Sequence, residues 1–104
     1  MSLNINKAFD SEKNLWEVKL IGEIDISTAN SLKEILIKLL EEKEIDIKLD
    51  CKELDYIDST GLGVLIGILK RLKSIDKDII IINPKPNISK LFKITGLDKI
   101  FIIK

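Results

Sequence analysis

Between Ile45 and Leu72 the spacing of apolar residues changes from two to three and four, and this change sets the class of fold the chain can adopt. Ile45-Asp-Ile-Lys-Leu-Asp-Cys51 alternates apolar and polar, as a strand with one buried face does. Leu62, Leu65, Ile66, Leu69 and Leu72 then recur at helical spacing, which predicts a helix over about 60–74. A strand that runs straight into a helix is half of a parallel crossover unit. The junction itself reads Asp58-Ser59-Thr60-Gly61, so Ser59 or Thr60 falls at or near a helix N-terminus.

The rest of the chain extends this pattern. Leu3 to Phe9 and Leu15 to Ile21 alternate and are joined by the polar Asp10-Ser-Glu-Lys-Asn14, a hairpin connection. Gly22-Glu23-Ile24-Asp25 is expected to break the second strand. Ser27 or Thr28 then offers an N-cap to a helix over about 28–43 that carries Ala29, Leu32, Ile35, Leu36, Leu39 and Leu40. After the central unit, Asp78 to Asn83 contains four consecutive isoleucines and predicts a strand covered on both faces. Pro84 and Pro86 end it, Asn87 or Ser89 starts a short helix, and Gly96 closes that helix as a C-cap. Lys99 to Lys104 predicts a last strand. The order β-β-α-β-α-β-α-β defines an α/β domain with a mixed five-stranded sheet and right-handed crossovers. The polar phase at Asp46, Lys48 and Asp50 places the helices mainly on one face.

Composition narrows function by exclusion. The 104 residues suit one domain, and seventeen basic residues against seventeen acidic give a net charge of zero. That balance provides no general attraction to nucleic acid or to an anionic membrane. Nothing resembles a secretory leader, and no apolar stretch approaches the roughly 20 residues of a membrane span. Cys51 is the single cysteine and lies on the inward phase of its strand, so a core thiol in a reducing cytoplasm is expected. With no histidine, Ser-His-Asp and Cys-His nucleophiles and ordinary zinc sites are excluded. No metal site, cofactor or catalytic residue is expected, and the chain reads as a binding protein rather than an enzyme.

Two roles compete at the junction. A hydroxyl there, or the Asp58 carboxylate, can cap the helix by accepting a backbone N–H bond. It can also accept a phosphate, which a helix N-terminus tolerates and which adds about −1.5 to −2 charge. On the helix that follows, 100° per residue places Val64 and Arg71 opposite the buried stripe, with Gly63, Gly67 and Ile68 flanking them. An outward apolar and glycine surface next to Ser59 is therefore expected. Gly61-Leu-Gly63 with Gly67 also bears a loose likeness to a dinucleotide-binding turn, although the third glycine is displaced.

Three ordered motifs resemble the STAS-domain anti-sigma factor antagonists across essentially the whole chain. They are Gly22-Glu-Ile-Asp25, Leu54-Asp-Tyr-Ile-Asp-Ser-Thr-Gly-Leu-Gly63 and Leu91-Phe-Lys-Ile-Thr-Gly-Leu97. The resemblance implies one STAS domain over 1–104 and a partner switch. Its phosphorylation site is the serine after the motif aspartate, here Ser59, with Thr60 the second choice. The implied partners are an anti-sigma factor with serine kinase activity and a serine phosphatase. The implied docking residues are Asp25, Asp58, Ser59, Thr60, Gly61, Gly63, Val64 and Ile68. The alternatives are a regulatory or scaffold module of another signalling complex, or a nucleotide-binding STAS domain. Family members commonly carry a further C-terminal helix, whereas this sequence ends at Lys104.

Overall fold

The computed structural model describes residues 2–104 and contains one five-stranded sheet with three α-helices. The strands are β1 (Leu3–Asp10), β2 (Leu15–Ile24), β3 (Asp46–Ile57), β4 (Ile79–Ile82) and β5 (Ile102–Ile103). The helices are α1 (Ala29–Glu42), α2 (Ser59–Lys73) and α3 (Pro86–Ile94). Strand order in the sheet follows the sequence, β1 to β5. The β1–β2 hairpin is antiparallel, and every later pairing is parallel. This is the mixed α/β arrangement expected from the spacing.

The alternation in β3 decides which face is covered. Ile47, Leu49 and Cys51 are buried with Val18 and Leu20 of β2, and with Leu32, Leu36, Leu65, Leu69, Ile88 and Phe92 of the helices. The opposite phase carries Glu17, Lys19, Lys48 and Asp50, tied by Lys48–Glu17 at 2.6 Å and Lys19–Glu53 at 2.7 Å. All three helices therefore contribute to one core, while the other face of the sheet is open. Cys51 is buried as expected, and burial pushes its thiol up to about 12, with Asp50 adding to the effect. It is an inert core group at neutral pH.

Several boundaries differ from the sequence expectation. The second strand does not break at Gly22, because that glycine takes a φ of +115° and forms a bulge, and Glu23 N–H donates to Ser2 O. Beyond the bulge, β2 and β3 continue together to Ile24 and Ile57. The four isoleucines of β4 are covered on one face only: Ile79 and Ile81 are buried, whereas Ile80 and Ile82 sit half-buried beside Lys48 and Asp50. The third helix begins at Pro86, at the N-terminal position where a missing N–H costs nothing, with Lys85 as N-cap. Gly96 does close it, at φ +76°. The last strand is shorter than expected, since the 3-10 turn at Leu97–Lys99 and the turn that follows it hold the chain through Phe101, whose N–H donates to Leu97 O.

Candidate functional site

The parallel register of β2 and β3 places Ile24 opposite Ile57, so Asp25 and Asp58 leave the same edge of the sheet from neighbouring strands. Such strands lie about 5 Å apart. The contact is direct, because Asp58 N–H donates to Ile24 O at 3.1 Å. Helices α1 and α2 both start at this edge, which in open α/β sheets is where ligands and partners are met.

Asp58 is the N-cap of α2. Its backbone is extended, and its carboxylate accepts the Gly61 N–H at 3.0 Å while its carbonyl accepts from Leu62. This occupies the capping role that the sequence left open between Asp58 and the two hydroxyls. Ser59 and Thr60 are the first and second residues of α2, both exposed, and no hydrogen bond to a described residue holds either hydroxyl. A group added to either oxygen would meet the free N–H groups and positive dipole end of a fifteen-residue helix.

Asp25 is held differently. Its Oδ1 accepts from the Ser27 hydroxyl at 2.6 Å and the Ser27 N–H at 2.8 Å, and the hydroxyl bond above all keeps the carboxyl below its ordinary pKa. Thr28, the N-cap of α1, makes no side-chain cap bond. Its hydroxyl accepts from Asp25 N–H and donates to Glu23 O, both at 2.9 Å.

The glycines near the junction divide by role. A Cβ on Gly61 would lie 2.5 Å from Ile24 Cγ2 and 2.8 Å from Ile57 Cγ1, so this glycine lets α2 sit on the ends of both strands. The side of its backbone where a Cβ would stand is closed by Ile24 and Ile57. A Cβ on Gly63 or Gly67 would meet nothing within 4 Å. Those two line an open groove of about 400 Å³ between α1 and α2 with Thr60, Val64, Lys33 and Arg71.

The expected outward face is thus corrected at two positions. Gly61 is buried, and Ile68 is buried because α1 packs beside α2 and widens its covered arc. Ile66, expected in the buried stripe, is only half-buried. Thr60, Gly63 and Val64 do share the groove, with Ile68 lining it from a buried position, whereas Ser59 opens on the opposite side of α2. There a second groove of about 460 Å³ runs toward α3, lined with Tyr56, Asp58, Leu62, Asn87, Leu91 and Thr95. Lys85 pairs with Asp55, and Asn87 donates to Asp55 O at 3.0 Å, fixing the start of α3 beside this groove. The sequence reading missed this α3 side, and it missed Ile26, 82% exposed beside Asp25. An apolar residue between two polar capping residues was the available signal.

Taken together, the chain is an open-sheet α/β domain with two grooves and an unengaged hydroxyl between them. The chain belongs to the STAS domain family, whose sequence model matches residues 8–104. A curated relative, the anti-sigma-B factor antagonist of Staphylococcus aureus strain NCTC 8325, is 37% identical over 95 residues, covering 91% of this chain and 88% of that protein. Among solved structures, an anti-sigma factor antagonist from Mycobacterium paratuberculosis superposes with a TM-score of 0.86 at 22% identity, covering 98% of this chain and 85% of that one. The Bacillus cell fate determinant SpoIIAA in its phosphorylated form superposes at 0.72 with 19% identity, covering 99% and 91%. These structures share the fold. Among the described residues no helix is long and apolar enough to cross a membrane.

Proposed function

We propose that this chain is an anti-sigma factor antagonist that works as a phosphoserine switch at Ser59. In the unmodified state it docks on an anti-sigma factor with serine kinase activity, which then releases its sigma factor. Phosphorylation of Ser59 ends the docking, and a serine phosphatase resets it. Catalysis belongs to the partner. The observation that carries this reading is the unengaged, exposed Ser59 hydroxyl at the head of α2, directly after an aspartate that already caps the helix.

Charge explains why the modification separates the partners without unfolding the domain. Within the domain, the helix N-terminus favours the phosphate. In a packed interface the dianion must be desolvated beside Asp58 and Asp25, which leave the same sheet edge. One like-charge pair at about 4 Å rises from about 1 kcal/mol in water to on the order of 4 kcal/mol at an effective dielectric of 20, so desolvation in the interface adds about 3 kcal/mol. That corresponds to roughly a hundredfold in affinity. The docking surface comprises Asp25, Asp58, Ser59 and Thr60 with Gly63 and Val64, while Gly61 and Ile68 act from beneath it by holding α2 in place.

The test uses the purified anti-sigma factor relative of the same genome as binding partner and kinase. Ser59→Ala should bind and take no label, and Ser59→Asp should bind at least a hundredfold more weakly than wild type with an unchanged unfolding midpoint. Labelling of Ser59→Ala, together with wild-type binding by Ser59→Asp, would remove Ser59 from the mechanism. Labelling of Ser59→Ala that is lost in Thr60→Val would move the switch to Thr60.

A further inference from the structure

The far end of α2 carries a third groove that the switch does not use. It measures about 460 Å³ and is lined by Ile66, Leu69, Lys70, Lys73, Lys99 and Ile100. Its floor is apolar: Leu69 is buried, Ile66 is half-buried, and Ile100 leaves 46% of its surface in solvent. Its rim holds three ammonium groups, and no acidic residue is among the described residues that line it. Lys73 is already paired with Asp78, at 2.5 Å, whereas Lys70 and Lys99 form no ion pair with a described residue. Lys70 and Lys99 thus flank an apolar strip without an ion-pair partner among the described residues.

The shape of the strip selects the occupant. Positions 66, 69, 70 and 73 form one ridge along α2, spaced as a helix presents itself to a neighbouring helix. The Lys99–Ile100 turn supplies the opposite wall. We propose that this groove docks an amphipathic helix of a partner protein, one with aliphatic residues on one side and Glu or Asp flanking them. Apolar residues would cover Ile66, Leu69 and Ile100, and the flanking carboxylates would meet Lys70 and Lys99, the helix-in-groove mode of recognition. The negative end of the α2 dipole opposes an acidic ligand here, and the lysines of its last turn offset it.

This surface is separate from the switch. Lys70 lies eleven residues along α2 from Ser59, about 16 Å at 1.5 Å per residue. That exceeds the screening length of about 8 Å at physiological salt, so a phosphate at Ser59 leaves this groove unaffected. The chain could then stay attached to one partner while the other is released.

The experiment titrates the intact chain with a synthetic helical peptide carrying Leu at i, i+3, i+4 and i+7 and Glu beside them, followed by amide chemical shifts. The expected shifts concentrate at Ile66, Leu69, Lys70, Lys73, Lys99 and Ile100. Lys70→Glu combined with Lys99→Glu should weaken binding at least tenfold, and Ser59→Asp should leave it within twofold. Because that last variant abolishes the proposed anti-sigma contact, the two readings fail separately. Equal binding of a peptide with Lys in place of Glu, or shifts centred on Ser59 instead, would overturn the proposal. It would also be overturned if this groove titrated only with phosphatidylglycerol vesicles, or only with rising concentration of the chain itself.

Discussion

Two strand-to-helix junctions stand side by side at one edge of the sheet: Asp25-Ile26-Ser27-Thr28 after β2 and Asp58-Ser59-Thr60 after β3. Both contain an aspartate, a serine and a threonine, and both aspartates follow an isoleucine paired with the other. At the first junction the hydroxyls are consumed by structure. Ser27 donates to Asp25, and Thr28 bridges Asp25 N–H and Glu23 O. At the second the aspartate caps the helix alone and leaves both hydroxyls in solvent. The first junction has one more residue, Ile26, between the aspartate and the serine, and there Ser27 reaches the carboxylate two residues earlier. Composition alone does not mark a modifiable serine. What marks it is whether another group already performs its structural work.

The strongest way to break this comparison is to exchange the threonines' fates. Thr28→Val keeps the shape but strands Glu23 O and Asp25 N–H, and should cost about 2–3 kcal/mol of stability, since one orphaned buried polar group costs about 1–3. Thr60→Val should stay within about 0.5 kcal/mol of wild type, as surface substitutions do. Urea unfolding of both variants checks the contrast. Equal costs would mean that the two hydroxyls are equally structural.

A smaller effect separates the glycines of the second junction. Gly61→Ala drives a methyl into two stiff, β-branched side chains and should destabilise by about 1–2 kcal/mol net of the helix gain. Gly63→Ala meets open space and should stabilise by about 0.5–1 kcal/mol. If the α1–α2 groove is the docking face, the same Gly63→Ala should weaken anti-sigma binding at least tenfold despite the more stable fold. Thermal unfolding and a binding titration on one preparation separate the two effects.

The residues that made the fold legible were those whose environment depends on local spacing alone. The alternation of Ile45–Cys51 and the helical stripe of Leu62–Leu72 gave the sheet face and the helices. What spacing could not show was what neighbours do. The bulge at Gly22 depends on Ser2 across the hairpin, and it lets β2 and β3 run on to Ile24 and Ile57 where the alternation had lapsed. Burial of Ile68 depends on α1, and the partial exposure of Ile80 and Ile82 depends on which sheet face lacks helices. At the junction, the sequence named Asp58, Ser59 and Thr60 together. It left open which of them caps the helix, because that is settled by backbone geometry at Asp58 rather than by residue type.

That assignment is testable at about 1 kcal/mol. Asp58→Ala removes the cap and should destabilise by roughly that amount. Asp58→Asn or Asp58→Ser should recover most of it, because an oxygen still accepts the Gly61 N–H. A Ser59→Ala variant should show no such loss. If Ser59→Ala proved as costly as Asp58→Ala in urea unfolding, the serine would share the cap and would not be free for modification.

The smallest effect belongs to Asp25 and is visible only as a pH dependence. Its carboxyl is held below its ordinary pKa, chiefly by the Ser27 hydroxyl. A depressed folded-state value contributes stability that is present above the unfolded pKa, near 4, and is lost as pH falls through the folded value. Ser27→Ala removes the larger cause and keeps the backbone N–H bond, so its Asp25 should titrate closer to an ordinary aspartate. Wild type should therefore be the more stable at pH 7, and the gap should close as pH falls below about 4. The matching Ser59→Ala series should show no gap at any pH in the unmodified protein, because Ser59 holds no carboxylate. A Ser27→Ala gap that stayed constant from pH 7 to pH 3 would mean that the hydroxyl bond is indifferent to the charge on Asp25. The two junctions would then differ in geometry but not in electrostatics.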